Sequence, residues 1–148
     1  MDVDGMKRYI SILLVIIWMF VIFMMSSFNG DVSSSQSNFI VDLIVSIFNI
    51  SDIDIISLVV RKSAHYMEYL ILGLLVINML DRYDIDKRYV ISIVICIIYA
   101  ISDEVHQIFV DGRCFMVRDI LIDSTGGLSG IYLYKLFLKG VFNRNGRS

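Results

Sequence analysis

The apolar residues of this chain fall in blocks, with the charges gathered at the block edges. Ile10–Met25 carries one polar residue, Ser11, and no charge, and Val90–Ile101 carries only Ser92. Leu70–Leu80 and Ile120–Leu138 complete the set. With its polar edges included, each block reaches the roughly 20 residues that a helix needs to cross a bilayer. The pattern predicts an all-α polytopic membrane protein, a four-transmembrane-helix bundle over about 8–28, 62–81, 89–110 and 118–139. One domain covers 1–148, with no internal repeat.

The segment between the first two blocks, Asn29 to Val60, divides. Gly30–Ser37 is Ser-rich and turn-like. Phe39–Phe48 is too short to span and suits an amphipathic helix lying along the interface. Ile53–Val60 offers an upstream extension of the second helix, with Ser51 or Asp52 as its cap.

Composition agrees with a membrane setting: 57% of residues are hydrophobic, mean hydropathy is +0.72 and proline is absent. Lys7 and Arg8 before the first block resemble the start of a signal peptide, but the apolar run is long for one. Ser26-Ser27-Phe28-Asn29 makes a poor cleavage site, so the segment is expected to be retained. Nine of the 13 basic residues fall at the N-terminus, in the second loop or at the C-terminus. Only Arg61, Lys62, Arg113 and Arg118 lie on the other side. By the positive-inside rule both termini are cytoplasmic, in a multi-pass plasma-membrane protein. The net charge of −2 gives no reason to expect nucleic acid. Cys96 and Cys114 read as two unpaired thiols.

Against this background three polar runs stand out: Arg61–Tyr69, Ser102–Gln107, and Arg113 to Arg118 with Asp119 and Asp123. Ionisable groups cost about 2.5–3.5 kcal/mol each at a bilayer centre, so a chain holding several at one depth has a use for them. At 1.5 Å per residue Asp103 sits about 21 Å above Tyr89, and His65, His106 and Asp123 reach similar depth. Arg61, Lys62, His65, Glu68 and Tyr69 share one side of the second helix. Asp103, His106 and Gln107 share one side of the third, with Glu104 at the flank, and Asp119, Asp123, Gly126 and Gly130 line one side of the fourth. Polar stripes in a membrane face inward or face water, so an outward-opening pocket is expected.

Each part also has a purely structural reading. Lys62 can snorkel to the headgroups, His65 can bond Glu68 or Tyr69, and Asp103-Glu104-Val105-His106 can pair with Arg113 or Arg118 as a salt-bridge hub. Gly126 and Gly130 form a Gly-x-x-x-Gly pair, a helix-packing signal that would also suit a homo-dimer. The tyrosines suit interfacial belts. His65, His106, Asp103, Glu104 and Asp123 are possible zinc ligands, but no His-Glu-x-x-His or paired-cysteine spacing exists, so no metal or other cofactor is assigned.

Together these runs resemble the VanZ-like family of small bacterial membrane proteins. The similarity rests on Arg61-Lys62-x-x-His65 with Tyr69, and on Ser102-Asp103-Glu104-x-His106-Gln107-x-Phe109. It continues through Gly112-Arg113, Asp119, and Asp123-x-x-Gly126 with Gly130. It extends from the first helix and Ser26-Ser27 through the last. The chain departs from the pattern at Val110-Asp111, where a proline is usual, and at Asp123, where asparagine is common. Its Ser34-Ser35-Gln36 comes later than the family's Ser-Ser-Gln.

The resemblance implies a Gram-positive plasma-membrane protein connected with resistance to glycopeptides such as teicoplanin, without supplying a mechanism. Two classes of activity fit the residues. In a membrane enzyme performing phosphoryl or acyl transfer, His65, Asp103, Glu104, His106, Asp119 and Asp123 are the catalytic candidates. Arg61, Lys62, Tyr69, Gln107, Arg113 and Arg118 would hold the ligand, arginine gripping two oxygens of a phosphate or carboxylate. In a non-catalytic protein the same groups bind a membrane lipid or a lipid-linked cell-wall precursor, or serve a small proton-coupled lipid transporter. No activated serine or cysteine is evident.

Overall fold

The computed structural model describes residues 2–28, 41–43, 45–47 and 52–145, with side chains as far as Phe137. Among these residues the chain is all-helical, with four long helices: α1 Val3–Ser26, α2 Ile53–Arg82, α3 Arg88–Gln107 and α4 Val117–Asn145. Helices α1, α2 and α3 are long and apolar enough to cross a membrane; α4 is long enough but more polar. The interfacial helix expected over 39–48 lies partly outside the described residues, which are helical at 41–43 and 45–47.

Local chemistry sets the helix ends. Asp2 caps α1 by accepting the Gly5 amide at 2.8 Å, which starts the helix well before the predicted residue 8. At the other end the Ser27 hydroxyl donates to the Phe23 carbonyl at 2.6 Å and the helix stops at Ser26. Helix α2 begins at Ile53, so the upstream segment does extend it, although Asp52 makes no side-chain cap bond. Its 30 residues measure about 45 Å, more than the roughly 30 Å hydrocarbon core. Helices α2 and α3 are joined by a tight turn in which Asp84 and Lys87 hold positive φ. Helix α3 ends at Gln107, short of the predicted 110, and Gly112 at φ 75° turns the chain toward α4.

The helices run up and down. Arg8 donates to the Arg82 carbonyl at 3.0 Å, and Tyr134 donates to Asp81 at 3.0 Å, so the start of α1, the end of α2 and the later part of α4 share one end. At the opposite end Ser27 meets His106 at 3.1 Å and Arg113 donates to the Phe28 carbonyl at 3.1 Å. Tyr69, Leu72, Val76 and Ile77 of α2 form the centre of the core, with Cys96 and Ala100 of α3 and Ile131 of α4.

Helices α2 and α4 approach closely because glycines line their contact. A Cβ added at Gly130 would strike the Leu70 carbonyl, and one at Gly73 would strike the Gly127 carbonyl. The Gly126/Gly130 face assigned above to a dimer is therefore occupied by α2 of the same chain. Small residues let helices in lipid gain dispersion contacts at short range, and here they do so within one molecule.

Candidate functional site

The polar residues of α2, α3 and α4 meet at the end of the bundle opposite the termini. Lys62 pairs with Asp119 across α2 and α4, each side chain only 13% exposed. With Arg61, His65, Gln107 and Arg113 this pair lines a cavity of about 170 Å³. Arg113 sits on the α3–α4 loop, where burial, and then the charge of Arg61, pull its guanidinium below the usual value. Among the described residues Arg61 has no ion-pair partner.

Below the cavity lies an acidic layer. Asp103, Glu104 and Asp123 are all buried, Glu104 and Asp123 completely. Glu104 accepts the Met116 amide at 2.8 Å, while its other oxygen is unpartnered. Asp103 accepts from Gln107, 3.4 Å away, and Gln107 also donates to Ser26 at 3.2 Å. His65 Nδ1 stands 3.8 Å from Glu68 and 4.0 Å from Asp123, too far to hydrogen-bond either. Tyr69 is fully buried with an unpartnered hydroxyl.

The family model described as VanZ/LLP1 matches residues 11–138, which include every one of these positions. The chain belongs to the VanZ/LLP1 family. No curated protein and no solved structure matches it. In this VanZ/LLP1 protein Arg61, Lys62, His65, Asp103, Glu104, Gln107, Arg113, Asp119 and Asp123 thus gather at one end of the bundle.

Nine of the twelve expected site residues gather in the cavity wall and the acidic layer, and Tyr69 is buried beside them. Two lie apart. Arg118 is exposed and does not line the cavity. His106 turns toward α1, where it bonds Ser27 and stacks on Phe23 with ring centroids 4.5 Å apart.

The expected face of α3 needs correction. Its buried arc is Cys96, Ala100, Asp103, Glu104 and Gln107, so Glu104 points inward and His106 is at the flank. Buried Ala100 and Cys96, one and two turns below Glu104 and Asp103, are the sequence signal that locates this arc.

Glu68 was expected only as a structural partner of His65, and Ser26 and the Met116 amide had no expected role in the site. Glu68 faces His65, and its backbone carbonyl accepts from Trp18 of α1 at 2.8 Å. Ser26 was visible only as part of the Ser26-Ser27 pair that trails the first helix. Nothing in a single sequence marks a backbone amide such as that of Met116.

Proposed function

We propose that this VanZ/LLP1 protein binds the anionic headgroup of an envelope lipid or lipid-linked cell-wall precursor at the outer face of the plasma membrane. One observation carries the reading: Arg61, Lys62 and Arg113 converge on a single cavity, and Asp119 answers only Lys62. Two guanidinium groups in a partly desolvated cleft suit a phosphate, which arginine grips through paired N–H donors. Arg113 is already oriented by its bond to the Phe28 carbonyl. An anion between Arg61 and Arg113 would relieve the repulsion of their charges.

This reading includes a fourth transmembrane span and cytoplasmic termini. Support for the span comes from the outward positions of α4, where Leu121, Leu128, Leu133, Leu136 and Phe137 are exposed while Asp123, Gly126, Gly127 and Gly130 are buried. A helix with an apolar outer surface and a polar inner stripe suits lipid around it. Support for the orientation comes from the basic residues that cluster at the termini and the α2–α3 turn.

Protection against teicoplanin follows if the bound headgroup belongs to a precursor or lipid on which the antibiotic depends. The test is susceptibility of a sensitive Gram-positive host carrying wild type, Arg61→Gln or Arg113→Gln at equal membrane abundance. Protection by wild type and its loss in both variants is expected. Equal protection by all three removes the cavity from the function. No protection by wild type removes teicoplanin, and binding of anionic lipid in nanodiscs then decides the headgroup reading by the same variants.

A further inference from the structure

The acidic layer below the cavity is short of partners. Both carboxylate oxygens of Asp123 are buried without a hydrogen bond, on a side chain that is 0% exposed. His65 Nδ1 is buried and unpartnered as well. One ligand-type atom from each of His65, Asp103 and Asp123 lies within 4.8 Å of the others, and the three come from three different helices. A buried carboxylate without hydrogen bonds is costly, and several together are more so. Lys62, in the cavity above, is already paired with Asp119.

We propose that His65, Asp103 and Asp123 form a binding site for one divalent ion of the zinc or manganese class. The donor set argues for that class. An imidazole nitrogen counts against magnesium and calcium, which take oxygen ligands. The carboxylates count against copper(I), and Cys96, about 10 Å before Asp103 on α3, is out of reach. Three protein ligands leave a coordination position open, as in sites that bind an exchangeable water or ligand. His65 belongs both to this cluster and to the cavity wall, so the two sites are contiguous.

Ligand atoms around zinc, about 2.1 Å from the metal, stand roughly 3.4 Å apart in a tetrahedron. His65 Nδ1 and Asp123 are 4.0 Å apart and the three ligand atoms lie within 4.8 Å, so the set would draw together around the ion. Gln107, bonded to Asp103, would orient that ligand. The metal site does not depend on the headgroup reading, and its readout needs no lipid.

The test uses the full-length protein in detergent, with Cys114→Ser to remove an exposed thiol that would bind zinc on its own. After chelator treatment, calorimetry with ZnCl₂ or MnCl₂ is expected to show one ion per chain. Asp123→Asn and His65→Gln should each weaken binding at least about a hundredfold, beyond the 10–100-fold typical of an outer partner. His106→Asn, outside the cluster, should leave it unchanged. If a ligand variant fails to fold, Co²⁺ added to the wild-type fold serves instead. A visible band of low-coordinate nitrogen and oxygen ligation supports the site, and the spectrum of the hydrated ion overturns it. Absence of binding in wild type, or unchanged binding in folded Asp123→Asn, also overturns it.

Discussion

The fully buried carboxylate of Glu104 accepts the backbone amide of Met116 at 2.8 Å, tying the last turn of α3 to the residue before α4. A carboxylate at the start of a helix answers both an orphan amide and the positive end of the dipole. Glu104→Ala removes that acceptor and leaves the amide short of a partner, a loss of about 1–3 kcal/mol. A lower midpoint in a thermal melt followed by Trp18 fluorescence is the expected result. Glu104→Gln keeps a carbonyl acceptor and should fall by less. Equal melts for all three proteins would mean that the contact does not organise the loop.

The glycine contact of α2 and α4 should tolerate no side chain. Gly130→Ala places a methyl against the Leu70 carbonyl, a backbone atom that cannot swing away. The helices must separate, and overpacking of this kind costs about 1–3 kcal/mol. Leu128→Ala, on the exposed face of α4, is the matched control and should leave the melt nearly unchanged.

Lys62 and Asp119 form a pair whose halves depend on each other. Removing one partner strands a largely buried charge, which costs about 3–5 kcal/mol in a fully buried pair and less at 13% exposure. Lys62→Met and Asp119→Leu should each lower membrane abundance, and the double variant should recover much of it. A double variant as poor as the sum of the singles would show that the pair is not coupled.

The two thiols report the orientation. Cys114 is exposed on the α3–α4 loop and Cys96 is buried within α3. With cytoplasmic termini, a membrane-impermeant maleimide should label Cys114 on intact cells and leave Cys96 unmodified. Labelling that appears only after the cells are opened would place the cavity on the cytoplasmic side.

Much of this molecule is legible without coordinates. Long uncharged runs such as Ile10–Met25 form helices wherever water is absent, and charges such as Arg61 and Arg113 mark where those runs end. The inward side of α2 was readable too, because Arg61, Lys62, His65, Glu68 and Tyr69 recur at helical spacing. These properties reside in single segments, so the sequence by itself determined them.

The rotation of each helix against its neighbours does not reside in any segment. It depends on where two surfaces fit most closely: glycines at 73, 126 and 130 set that fit for α2 and α4, and Gly127 also lets Cys96 of α3 approach α4. Only the tertiary structure decided that Glu104 faces inward while His106 packs on α1, and that Arg118 stays outside the cavity. It also decided that His65, Asp103 and Asp123, 38 and 20 residues apart along the chain, stand within 4.8 Å of one another. Close packing brings them there, because the rotations that seat the glycine contact also turn these side chains inward.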